Sequence, residues 1–196
     1  MSDGGIESTR ARILSAAALE IRQIGPRRMS VSGVATRLGM SHANVYHYFA
    51  SKAALVEAVL NVWLRTVEVR LQDIVDGPDP ADDKLERFLT TLARAYAEGQ
   101  KADGAIFRLL AEPGVAVREA ERHLRRVEGW LERIAEEGIS TRLFHLSEVR
   151  RAAQLAGDLA ASYCDPRMVL VRGGDVVSEQ RRDRAIRAAV RALVGR

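Results

Sequence analysis

Apolar residues recur at helical spacing along almost the whole chain. Ile13, Ala17, Ile21 and Ile24 fall at steps of four, four and three, which is one face of a helix. Gly25-Pro26 ends it, because glycine takes the left-handed position past a helix and proline cannot continue one. The preceding Met1–Ser8 is polar, carries Gly4-Gly5 and reads as an unstructured arm, with Thr9 as the cap. Ser30 is the expected N-cap of a second, short helix with Val31, Val34, Ala35 and Leu38 inward and Gly39 at its end. Ser41 caps a third, running to about Tyr48, and Ser51 caps a fourth from about Lys52 to Val75. Between Ala53 and Leu64 the fourth helix has Glu57 as its one charge. A helix apolar on most sides needs neighbours on most sides, so it reads as a strut between a small head and a larger body.

The run Asp76-Gly77-Pro78-Asp79-Pro80 breaks the chain. Beyond it the pattern predicts helices over about 80–101, 104–111, 115–137, 147–164 and 175–194. Asp103-Gly104, Pro113-Gly114, Gly138, Asp165-Pro166 and Gly173-Gly174 punctuate them. No stretch alternates with a period of two between turn signals, so the fold class is all-α. The expected division is a head over residues 1–50 and a helical body over 51–196, with the fourth helix as connector from 51.

Composition narrows the class. The chain has 196 residues, 47% hydrophobic and 29% charged, which rules out wholesale disorder. A single cysteine, Cys164, excludes a disulfide framework and a multi-cysteine zinc site and points to a reducing compartment. The longest uncharged run, Leu38–Ser51, is 14 residues and polar in part. A spanning helix needs about 20 largely apolar residues, so no membrane span is expected. Met1–Arg12 lacks an apolar signal core, and the expected location is the cytoplasm.

Charge changes the picture more. The net charge is +4, and residues 1–70 account for all of it, with nine basic against five acidic side chains. The remaining 126 residues carry 21 of each sign. A basic head on a neutral body suits a polyanion partner.

The same head carries the informative spacing. In VSGVATRLGMSHANVYHY, residues 31–48, Ala35 is small where two helices must cross. Gly39, four residues on, permits the tight turn, and Val45, ten residues after Ala35, supplies the buried contact of the second helix. This is the helix-turn-helix pattern, although an ordinary helical hairpin can share it. On the outward side of the third helix, Asn44 can bond an adenine edge, His42 can donate or accept, and the Ala43 methyl suits a thymine methyl. His47 shares that outward side. Ser41 stands at a helix N-terminus, which suits phosphate, and Tyr46 and Tyr48 offer hydroxyls to the backbone. Arg10, Arg12, Arg27 and Arg28 add sequence-independent attraction.

The stretch Ala35, Gly39-Met40-Ser41, Val45 to Lys52 and Leu55 resembles the DNA-binding domain of the TetR family of transcriptional regulators. The tail Tyr46, Phe49, Ser51, Lys52, Leu55 matches the family's lead into helix four. The close likeness covers about residues 9–60; beyond that the length and the helical body agree. The resemblance implies a three-helix DNA-binding head with a helix-turn-helix, plus a larger helical ligand-binding and dimerisation body. By it, Tyr46 and Lys52 are expected phosphate contacts, and Ser30 and Ser32, where many relatives have Thr, face phosphates from helix two. It further implies a homodimer on double-stranded operator DNA, an effector pocket, and release by a small-molecule effector, an apolar or amphipathic molecule being favoured.

Pocket candidates are Trp63, Phe88, Leu92, Tyr96, Phe107, Leu110, Trp130, Ile134 and Tyr163. The small stripes Ala152, Ala156, Ala160 and Ala153, Gly157, Ala161 let another helix approach closely. With Ile186, Ala189, Val190 and Leu193 of the last helix they are the expected dimer face.

Other chemistry is not expected. His42 and His47 stand five apart, about 140° around a helix, and cannot readily share a metal ion. His123 and His145 read as isolated, solvated or hydrogen-bonded. The Glu and Arg of 115–137 read as a solvated, ion-paired face, and Cys164 as core. No cofactor and no catalytic group is expected. Two other classes share parts of the pattern: a sequence-tolerant architectural DNA protein, and a helical-bundle enzyme.

Overall fold

Helices account for the computed structural model, which describes residues 3–112, 114, 116–172 and 179–194, and no strand occurs among them. The head contains α1 (Asp3–Ile24), α2 (Val31–Leu38) and α3 (His42–Tyr48). The connector is α4 (Lys52–Asp76), and the body contains α5 (Ala81–Ala111), α6 (Val117–Ser140), α7 (Val149–Cys164), α8 (Pro166–Arg172) and α9 (Glu179–Val194).

Of the four caps expected up to α4, those at Ser30, Ser41 and Ser51 are present, while Thr9 lies inside α1. The hydroxyl oxygens of Ser30, Ser41 and Ser51 accept from the N–H groups of Gly33, Asn44 and Ala54, respectively. Each satisfies one of the donors left open at a helix start. Gly39 adopts φ 63°; its N–H turns back onto the Thr36 carbonyl, and the Met40 N–H onto that of Ala35. Ile13, Ala17, Ile21, Val34, Ala35, Val45 and Phe49 are buried together beneath these turns.

α4 buries Leu55, Val56, Val59, Leu60, Leu64, Val67 and Leu71 and packs against α1, α5 and α6. One buried cluster therefore continues from Ile13 in the head to Leu193 at the end of α9. α5 is bent at Asp103, whose φ −149° and ψ 63° interrupt the helix at the expected break.

Three expectations need correction. α1 begins at Asp3, so the supposed arm is helical from there. α6 does not stop at Gly138 but continues to Ser140. The glycine is there for space: a Cβ on it would overlap the Phe144 ring. The short α8 is additional to the expected helices. Asp165 starts it by accepting from the Arg167 N–H at 2.7 Å, with Pro166 at the first position. The last helix is described from Glu179, as expected over that part, and the expected portion before it lies outside the described residues.

Gly138→Ala is expected to destabilise the fold by about 1–3 kcal/mol, because Phe144 must leave its place against α6. A chemical unfolding midpoint equal to that of the parent would contradict this packing.

Candidate nucleic-acid interface

On α3 the buried position is Val45, fully enclosed, and the remaining side chains from Ser41 to His47 are exposed. His42, Ala43, Asn44, Tyr46 and His47 therefore present one continuous outward surface. The rings of His42 and Tyr46 meet edge to face at 4.8 Å, which braces both on the helix. Tyr48 is half-buried, packs on the core and meets the His47 ring edge to face at 5.5 Å.

The groups expected to meet phosphate are tied to the backbone of the head. Lys52 Nζ donates to the Arg27 carbonyl at 2.7 Å, joining the start of α4 to the turn after α1. An ammonium has three donors, so two stay available. Ser30 and Ser41 accept cap bonds, but each hydroxyl keeps its own proton to donate. Ser32 is exposed in the first turn of α2. Arg10, Arg12, Arg27 and Arg28 are exposed, and the Arg10 guanidinium lies 5.0 Å over the Phe49 ring. The head thus joins an exposed polar helix face to hydroxyl and cationic groups on α1, α2 and α4.

In the body, Phe88, Leu92, Tyr96, Phe107, Leu110, Trp130 and Ile134 are buried, while Trp63 and Tyr163 are half-buried. Phe107 meets Trp63 at 5.9 Å and Tyr96 at 5.6 Å, both edge to face. Phe88 meets Trp130 at 6.2 Å, and the Arg172 guanidinium lies over the Tyr163 ring. α5 reaches Trp63 closely through Gly99, where a Cβ would come within 2.5 Å of the indole.

The expected partner face turns out differently. Ala152, Ala153, Ala156, Ala160, Ile186, Ala189, Val190 and Leu193 are all buried within the single chain, where α7 packs on α5, α6 and α9. Small residues admit a close helix, and these admit helices of their own chain. Gly157 and Ala161 are the exceptions: both are half-exposed, and a Cβ at Gly157 would meet open space.

The sequence reading missed a buried polar group of side chains between α4, α5 and α6. His123 is fully buried; one ring nitrogen lies 2.9 Å from Tyr96 Oη, the other 2.8 Å from Glu68 Oε1. Glu68 also accepts from Arg126. Asn61 and Arg122 both donate to buried Glu119, and Trp130 Nε1 donates to Gln72 at 2.9 Å. Glu57 pairs with Arg118 and Asp76 with Arg133 at the two ends. α4 and α6 run parallel, with polar pairs along their whole seam. A signal for this existed: Ala120, His123, Val127, Trp130 and Ile134 share one helical face, so His123 belongs among apolar neighbours.

Burial alone would raise the Glu68 carboxyl, but the hydrogen bond and charge of His123, together with Arg126, outweigh it and hold it below its usual range. Burial drives the Tyr96 hydroxyl well upward, helped by the carboxylates of Asp165 and Glu68. Burial also pushes the Cys164 thiol up to about 12, so it is no thiolate near neutrality. Because Glu68 is lowered in the folded state, its contribution is present above the ordinary carboxylate range and is lost as pH falls through the lowered value. Stability is therefore expected to decline below about pH 4, with a shallower decline in Glu68→Gln. Identical acid limbs for the two proteins would contradict it.

Fold and site together define a helix-turn-helix DNA-binding head on a helical body. Residues 13–59 match the model for bacterial regulatory proteins of the tetR family, and residues 81–190 match that of the tetracyclin repressor-like C-terminal domain. The chain belongs to the TetR family. The HTH-type transcriptional repressor BdcR of Escherichia coli (strain K12) is 32% identical over 93 residues, 47% of this chain and 47% of that protein. The chain spans about half the length of the curated relatives it matches. The TetR family regulator PfmR from Thermus thermophilus superposes with a TM-score of 0.62 at 22% identity, covering 94% of this chain and 97% of that one. FadR from Bacillus subtilis, solved in complex with stearoyl-CoA, gives 0.66 at 18% identity, covering 94% and 97%. The two structural likenesses speak for the fold. The relatives named are transcriptional regulators, not enzymes.

Proposed function

We propose that this chain is a transcriptional repressor that binds an inverted-repeat operator as a homodimer and leaves it when a small molecule binds the body. The observation that carries the DNA reading is α3, with Val45 wholly buried and His42, Ala43, Asn44, Tyr46 and His47 exposed on one surface. Asn44 and His47 read base edges, and Ser30, Ser32, Ser41, Tyr46 and Lys52 hold the phosphates. The dimer forms through the outward faces of α7 and α9. There Leu155, Gly157 and Leu159 and the small Ala185, Ala188 and Ala192 are exposed or half-exposed. A two-fold pair of heads matches a two-fold operator.

The effector site lies in the body around Trp63, Tyr96 and Phe107, where aromatic surface adjoins the buried polar side chains of His123 and Glu68. FadR carries its acyl-CoA on the same fold, which supports an amphipathic effector. Release requires the effector to bind more tightly to the form that does not fit DNA, with α4 as the lever between body and head. The test is operator affinity with and without saturating effector. A loss of about 5- to 150-fold is expected; equal affinities contradict release.

A further inference from the structure

Arg22 stands in the last turn of α1, and its side chain leaves the head to meet the body. Its Nε and Nη2 donate to Asp103 Oδ2 at 2.8 and 2.6 Å. Asp103 is the residue at which α5 bends. Its other carboxylate oxygen accepts from the Ile106 N–H at 3.4 Å and so starts the second half of that helix. One turn further on is Phe107, seated between Trp63 of α4 and Tyr96 of α5. A single carboxylate therefore ties three things together: the end of the head's first helix, the bend of α5, and the aromatic cluster of the body.

We infer that the Arg22–Asp103 pair positions the DNA-binding head on the body and so helps set operator affinity. Neither residue need touch DNA. Arg22 is engaged with α5, and Asp103 lies within the body. Without the pair, the head keeps its own core and its packing on α4 and α5 but loses the two bonds that fix the end of α1 at the bend of α5. Any displacement of Phe107 shifts the start of the short helical segment that Asp103 caps, and the guanidinium follows the carboxylate. The pair thus gives the body a second route to the head, beside α4. The inference rests on the DNA-binding reading above.

Charge alone makes the opposite forecast for Asp103, which yields a clean test. Arg22→Ala removes a cation and Asp103→Asn removes an anion. General attraction to DNA therefore predicts weaker binding in the first and tighter binding in the second. Positioning predicts that both weaken binding to the operator, by about 3- to 10-fold. The double variant is then no weaker than either single one, and Arg22→Lys stays close to the parent. Asn at 103 keeps an oxygen for the Ile106 cap, so loss of the cap is not the cause. An ion pair this exposed adds little to global stability, so the unfolding midpoints should stay together.

The probe is a duplex selected by the parent protein from random sequence, with a scrambled duplex as control. Opposite shifts in the two single variants, or additive losses in the double, overturn the inference. If the parent shows no preference for any duplex, the DNA-binding reading fails instead, and the two failures are distinct.

Discussion

Replacing Asn44 and His47 together with alanine is expected to abolish discrimination between operator and random duplex while leaving the fold intact. A specific regulator prefers its site by about 10³ or more, or roughly 4 kcal/mol. A good base-edge contact contributes about 1–3 kcal/mol of discrimination, so two lost contacts remove most of that preference. Both side chains are exposed on α3 and neither is part of the buried core. Their loss should therefore change stability by no more than about 0.5 kcal/mol. Binding to random duplex should persist, because the arginines of the head and Lys52 are untouched and phosphate attraction is independent of sequence. Competition titrations at fixed salt, beside thermal unfolding, measure both quantities. Retained discrimination would place the reading of sequence outside α3.

The largest expected effect on stability lies elsewhere, at His123. Alanine there removes a fully buried ring and both of its hydrogen bonds at once. The Tyr96 hydroxyl, enclosed among aromatic rings, is left without that partner, and Glu68 keeps Arg126 but loses its buried bond. An unsatisfied buried hydroxyl together with a cavity costs about 3 kcal/mol. For a chain of this size that lowers the melting temperature by about 6–12 °C. His123→Gln retains a donor and an acceptor and should lose less than half as much. If His123→Ala melted with the parent, the α4–α6 seam would not depend on its buried polar contacts.

The head was legible because its information is local. Ser30, Ser41 and Ser51 cap the helices that begin one residue later, and Gly39 turns the chain directly after α2. Each of those signals is complete within four residues of sequence. The body was less legible because helical periodicity says which face is covered without saying by what. Ala152, Ala156 and Ala160 correctly mark a close helix approach, yet the helices that approach belong to the same chain. Gly138 looked like a terminator and is a spacer for Phe144. His123 looked isolated because Glu68 and Tyr96 lie 55 and 27 residues away. Pairing between helices is decided by the packing of the whole chain, and the spacing along one helix does not carry it.

The central claim is that this chain reads a DNA sequence through α3. Its most direct measurement is the ratio of affinities for a duplex selected from genomic fragments and for random duplex, at one moderate salt concentration. The account predicts a ratio of about 10³ or more and an enriched sequence with two-fold symmetry. A ratio near one, with no sequence enriched, would contradict it.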